Sequence, residues 1–84
     1  MNYLSLYQID AYSYGGESVC NDLYPLTDFI GAADDARQAE ELIKEKLDLL
    51  DIVLTCDVKV VPCERGYEMV RQSDDHPMFL LEIT

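Results

Sequence analysis

The sequence predicts an α+β fold, with one helix packed on a mostly antiparallel sheet and elements in the order ββαβββ. Three observations predict it. Residues from about Asp34 to Leu50 repeat apolar side chains at helical spacing. The segments on either side alternate apolar and polar residues or concentrate aromatic and β-branched ones. Turn-forming clusters, among them Gly15-Gly16, Glu64-Arg65-Gly66 and Ser73-Asp74-Asp75-His76, separate the segments at short intervals. One helix against one face of a sheet is the natural packing for such a set.

The first strand covers Tyr3 to Tyr14. Leu4 and Leu6 share one face, while Tyr7, Ile9 and Ala11 share the other. That slip in alternation is the mark of a bulge or of a strand buried on both sides. Gly15-Gly16 ends the strand, and Glu17 to Asp22 reads as an exposed loop. A second strand runs from Leu26 to Ala32, with Pro25 at its start, where a missing N–H is tolerated.

The helix begins with two carboxylates, Asp34 and Asp35, placed to cap it and to complement its dipole. Asp35 with Gln38 three residues later resembles a capping box. At 100° per residue, Ala36, Ala39, Leu42, Ile43, Leu47, Leu49 and Leu50 cover one broad face. Lys46 falls within that face and must lead its ammonium out to water. Arg37–Glu41 and Glu40–Lys44 are spaced for i,i+4 ion pairs on the other side.

Ile52 to Val61 has the clearest strand pattern. Ile52, Leu54, Cys56, Val58 and Val60 point one way, Thr55, Asp57 and Lys59 the other. Pro62 ends this strand or marks a sheet edge. Glu64-Arg65-Gly66 turns the chain into a strand from Tyr67 to Gln72. After the loop at 73–76, Pro77 to Thr84 forms the last strand, with Phe79, Leu81 and Ile83 on one face.

Composition sets the class. The 84 residues carry 17 Asp and Glu against 6 Lys and Arg, a net charge of −11. Residues 1–84 form a single small acidic domain. Nucleic acid and anionic membrane are disfavoured as direct partners, because both recruit clustered Lys and Arg. Hydrophobic residues make up 49% of the chain, enough for a core and too many for a disordered acidic tail. A core this small leaves homodimerisation as a further source of stability. No apolar run approaches the roughly 20 residues that span a bilayer, and Met1-Asn2-Tyr3-Leu4 lacks the basic start of a signal peptide. Three cysteines, Cys20, Cys56 and Cys63, are an odd set without close pairing, as in a reduced cytoplasmic protein.

No constellation announces catalysis, a cofactor or a metal. Cys20, Cys56, Cys63 and His76 could supply four zinc ligands, but the gap from Cys56 to Cys63 exceeds the C-x₂₋₄-C spacing of structural sites. A Cys56–Cys63 disulfide requires the chain to turn at Pro62. His76, between Asp75 and Pro77, reads as a solvated loop histidine rather than the base of a cysteine nucleophile. No calcium-loop pattern occurs, and Gly15-Gly16 lacks the basic residue and helix of a phosphate loop. The expected protein is therefore not an enzyme.

The tyrosines and the charge distribution say more. Tyr3, Tyr7, Tyr12, Tyr14 and Tyr24 all fall in the first 24 residues, and no Lys or Arg precedes Arg37. Residues 1–35 carry −6, the helix region 36–50 only −1, and residues 51–84 carry −4. Tyrosine buries interface area at low entropic cost. Rigidly spaced carboxylates can occupy a basic groove built for phosphates, a form of DNA mimicry with steered association. Tyr12, Tyr14, Glu17, Asp22, Tyr24 and Asp28 are the expected partner-binding residues, with Asp74-Asp75 as a minor second acidic patch. Tyr3 and Tyr7 read equally well as sheet residues against the core.

In outline the chain resembles small acidic phage-encoded proteins of the anti-CRISPR type. The likeness lies in the short length, the acidic balance, a strand running into Gly31-Ala32-Ala33-Asp34-Asp35-Ala36 and a single helix, and short strands ending at Phe79-Leu80-Leu81-Glu82-Ile83-Thr84. The resemblance implies a protein-binding inhibitor in the host cytoplasm. Its partner would be a basic nucleic-acid-handling effector, such as a multi-subunit CRISPR complex, whose DNA binding or nuclease recruitment it would block. It supplies no catalytic residue. The alternative is a self-associating structural module, motivated by the small core and by Val53, Val61 and Val70, which the alternation places toward the sheet surface. A small enzyme using paired carboxylates, or a cysteine with His76, is the third reading.

Overall fold

The computed structural model describes residues 2–14 and 18–84, and side-chain surroundings outside 11–21. Strands β1 (Asn2–Tyr14) and β2 (Ser18–Gly31) precede helix α1 (Ala36–Leu49), and β3 (Val58–Cys63), β4 (Gly66–Arg71) and β5 (Pro77–Ile83) follow it. This is the expected ββαβββ order. The five strands form one sheet in the spatial order β2-β1-β5-β4-β3, and every neighbouring pair is antiparallel. The last strand thus fills the centre, and Thr84 bonds back to the Tyr3 carbonyl through its N–H at 3.0 Å and its hydroxyl at 3.1 Å.

The helix starts where its capping residues stop the extended chain. Asp35 has extended backbone angles, and its Oδ1 accepts the Gln38 N–H at 2.8 Å. Gln38 Oε1 accepts from the Asp34 N–H at 2.8 Å, so the return bond of the box lands one residue before the cap. The helix ends in a Schellman arrangement: Ile52 N–H bonds to the Leu47 carbonyl at 2.9 Å and Asp51 N–H to that of Asp48 at 3.1 Å. Asp51, with φ of 58°, fills the left-handed position usually given to glycine.

Ala39, Ile43 and Leu47 form the buried stripe of the helix. They meet Leu4, Leu6, Met69, Phe79 and Leu81 from the three central strands. Burying Ile43 or Leu47 stabilises the fold by roughly 1.5–3 kcal/mol each. The apolar arc is narrower than the periodicity suggests. Leu49 is 69% exposed and Leu50 also faces solvent, because the helix is ending there. Lys46 does leave the core, and its ammonium stands 4.6 Å from the centre of the Phe29 ring. Arg37–Glu41 at 3.8 Å and Lys44–Glu40 at 3.2 Å are in place.

Three expectations about strands need correction. The strand expected at Leu26–Ala32 begins at Ser18, and residues 18–22, expected in a loop, pair with β1. The pattern from Ile52 to Val61 yields a hydrogen-bonded strand only from Val58. Ile52 and Leu54 nonetheless pack against the core while Val53 and Thr55 are exposed, so the alternation persists where the ladder does not. Val70, expected to be exposed, is buried, whereas Val53 and Val61 are exposed. Pro62 lies inside β3, which is tolerated because β3 is an edge strand. Glu64-Arg65 is a two-residue turn closing on the Cys63–Gly66 pair. Gly66 has φ of 149°, and a Cβ there would press on the Leu81 carbonyl oxygen of the adjacent strand.

Candidate functional site

The candidate surface is a β-ribbon that outruns the sheet. β1 pairs with β5 only from Leu4 to Gln8, yet its pairing with β2 continues through Ile9–Leu23 to Tyr14–Ser18. Six residues of each strand therefore extend beyond the third strand, about 20 Å at strand rise. The slip suspected in β1 is a register shift between Leu6 and Tyr7, and the extra residue belongs to β2. Leu6 faces Thr27 and Tyr7 faces Pro25, leaving Leu26 as the bulge.

The bulge decides which acids lie together. Asp10 pairs directly with Asp22, and Tyr24 pairs with Gln8. Alternation puts Gln8, Asp10, Asp22 and Tyr24 on the same side of the ribbon. Asp10 and Asp22 are exposed, and Tyr24 is 51% exposed. Like charges directly opposite each other destabilise a ladder. Asp28, expected on the same surface, pairs with Ser5 beyond the bulge and so faces the other way. There its carboxylate accepts from and repels charge on the Tyr3 phenol, raising the Tyr3 pKa. Tyr12 and Tyr14 belong to β1, opposite Cys20 and Ser18, and their side chains lie outside the described set. Glu17 lies outside the described residues.

The six Lys and Arg are all occupied elsewhere. Arg37 and Lys44 pair along the helix, and Lys59 meets Asp75 at 2.6 Å. Arg65 pairs with Glu82, Arg71 with Asp74, and Lys46 covers Phe29. None of the six reaches Asp10, Asp22 or Asp28 among the described residues. The expected second patch is thereby neutralised. Arg71 grips Asp74 with two bonds, Nε to Oδ1 at 2.8 Å and Nη2 to Oδ2 at 2.6 Å, and holds its carboxyl down at about 2. Sequence reasoning had no signal for this, because pairing across a turn depends on side-chain direction.

A second feature lies on the sheet face away from the helix, at the base of the ribbon. Ile9, Leu23 and Leu80 give a slot of about 380 Å³ an apolar floor, and Cys63, Glu64, Arg65 and Glu68 line the rest. Ile9 and Leu80 are buried although no helix covers that face. Arg65 crosses it, donating from Nε to Glu82 Oε2 at 2.6 Å and standing 5.8 Å from the centre of the Tyr7 ring. Tyr7 hydroxyl reaches the other Glu82 oxygen at 3.4 Å. Tyr7 is thus a sheet residue tied into this network.

The cysteine and histidine positions are separate. Cys56 and Cys63 are both free thiols. Cys56 is half-buried with its sulfur 3.8 Å from that of Met78, while Cys63 is exposed beside the β3–β4 turn. His76 follows Asp74 in the β4–β5 turn, its backbone N–H bonded to the Asp74 carboxylate at 3.2 Å. Among the described residues no group of three His, Cys, Asp or Glu is placed to hold a metal ion. Among the described residues no helix is long and apolar enough to cross a membrane. Comparison with protein-family models, with curated proteins and with solved structures finds no match.

Proposed function

We propose that the chain is a non-enzymatic, protein-binding inhibitor whose acidic ribbon docks on a basic surface built to hold nucleic acid. The observation that carries this reading is the Asp10–Asp22 pair: two exposed aspartates directly opposite each other in the ladder, with each of the six Lys and Arg occupied elsewhere among the described residues. Such a pair weakens the free protein and gains its compensation when a partner's cations meet it. Tyr24, on the same side and half-exposed, supplies the aromatic anchor typical of interface hot spots. The outline resemblance to anti-CRISPR proteins supports a nucleic-acid-handling effector complex as the partner class, with blocked DNA binding or nuclease recruitment as the outcome.

Immobilised full-length chain, exposed to host lysate at low salt, is expected to retain nucleic-acid-binding proteins and to release them when salt is raised or duplex DNA is added. Retention that neither salt nor DNA disturbs would overturn the reading, as would retention of no such protein. A second reading, a self-associating module, is favoured by Leu49, Leu50 and Val53, which leave an apolar surface where the helix ends. Light scattering separates the two: a monomer of about 9.6 kDa excludes self-association.

A further inference from the structure

The slot at the base of the ribbon has the shape and charge of a receptor for one particular kind of side chain. Its floor is aliphatic, from Ile9, Leu23 and Leu80, and two of its walls carry carboxylates, Glu64 and Glu68. The one cation on its lining, Arg65, is already held by Glu82 and stacked toward Tyr7. Glu64 and Glu68 make no ion pair or side-chain hydrogen bond among the described residues. The slot therefore presents an apolar bed with two uncompensated negative charges around it. A long aliphatic stem ending in a cation satisfies both halves at once.

We propose that this slot receives an arginine side chain. Arginine fits better than lysine for two reasons. Its guanidinium is more weakly hydrated, so it costs less to bring against an aliphatic floor. Its planar fork can also donate to two carboxylates in different directions, which a single ammonium does less well. The site differs from the ribbon surface: Ile9 and Leu23 pair with each other one step from Asp10 and Asp22, and strand alternation turns them to the opposite side. An inhibitor gripping a basic surface would thus hold it on both sides of one ribbon. That the arginine comes from a protein rests on the proposed function; the chemistry of the slot does not.

The test uses the full chain and a small probe, N-acetyl-arginine methylamide, followed by amide NMR titration. Saturable shifts are expected at Ile9, Leu23, Cys63 to Glu68 and Leu80. The citrulline analogue, equal in shape but uncharged, is expected to give none, and the lysine analogue to bind more weakly. Glu64→Gln with Glu68→Gln should weaken the arginine probe roughly tenfold, as two partly exposed ion pairs are lost. Glu40→Gln with Glu41→Gln removes the same charge on the helix, away from both surfaces, and should leave the probe unaffected. The proposal is overturned if the shifts never saturate, if citrulline binds as well as arginine, or if the Glu40/Glu41 variant loses as much as the Glu64/Glu68 variant. The comparison of probes on the unaltered chain decides the matter even where a variant folds poorly. A slot that binds the probe in a chain retaining no protein in the DNA-competed capture upholds the slot and removes the proposed function.

Discussion

Replacing Asp10 by asparagine is expected to make the protein more stable, and the size of the gain follows from the ladder. Residues directly opposite in an antiparallel pair have Cα atoms about 4.5–5.5 Å apart. Asp10 and Asp22 are such a pair and both are exposed. Two unit charges roughly 5 Å apart in a water-like dielectric repel by about 0.8 kcal/mol. Screening leaves about 0.7 kcal/mol at about 10 mM ionic strength, about 0.4 at 0.15 M and under about 0.2 at 1 M. Urea unfolding of the parent, Asp10→Asn, Asp22→Asn and the double variant gives the cycle. Each single change should raise the midpoint at low salt, and the second should add little once the first is made. The gain should fade as salt is added. A cycle with no coupling at low salt, or a gain indifferent to salt, would refute the reasoning, since the two carboxylates would then not be facing each other.

The other expectations concern the frame that holds the ribbon. Gly66→Ala places a Cβ against the Leu81 carbonyl at φ of 149° and should cost roughly 2–3 kcal/mol by thermal or urea unfolding. Asp51→Gly relieves a left-handed aspartate at the helix end and should stabilise by roughly 0.5–1 kcal/mol in the same assay. Asp74, held at about 2 by Arg71 against an ordinary 3.8, adds stability that is present above its unfolded value and lost as pH falls through the folded one. Asp74→Asn should therefore flatten the acid side of the stability profile between about pH 4 and pH 2, read by circular dichroism.

Local chemistry was legible wherever neighbours in sequence are neighbours in space. Asp35 with Gln38, the two i,i+4 ion pairs, the departure of Lys46 from the core and the two-residue turn before Gly66 all follow from spacing alone. The alternation from Ile52 to Val61 marks the covered side chains throughout, but the ladder begins only at Val58. A period of two records which side chains are covered, and hydrogen bonding needs a second strand that residues 52–57 do not have. The reverse holds for Ser18 to Asp22, whose polar residues hide a strand that exists because β1 is beside it. The site was legible in part. Asp22 and Tyr24 do share a surface, but the bulge at Leu26 turns Asp28 away, and nothing in residues 24–28 marks where that extra residue falls. Asp10 carries no mark in the sequence, because its importance lies in the residue opposite it. The slot draws on four separate stretches of chain and has no local pattern at all.

The proposed function requires that Asp10 and Asp22, which meet no Lys or Arg among the described residues, hold the partner, rather than acidity in general. The direct measurement is DNA-competed capture from lysate by three immobilised full-length proteins: the parent, Asp10→Asn with Asp22→Asn, and Glu40→Gln with Glu41→Gln. Both variants remove two negative charges, but Glu40 and Glu41 already face Lys44 and Arg37 on the helix. Retention of nucleic-acid-binding protein is expected to fall severalfold for the ribbon variant and to stay at the parent level for the helix variant. Equal retention by all three, or an equal loss in both variants, would contradict the account.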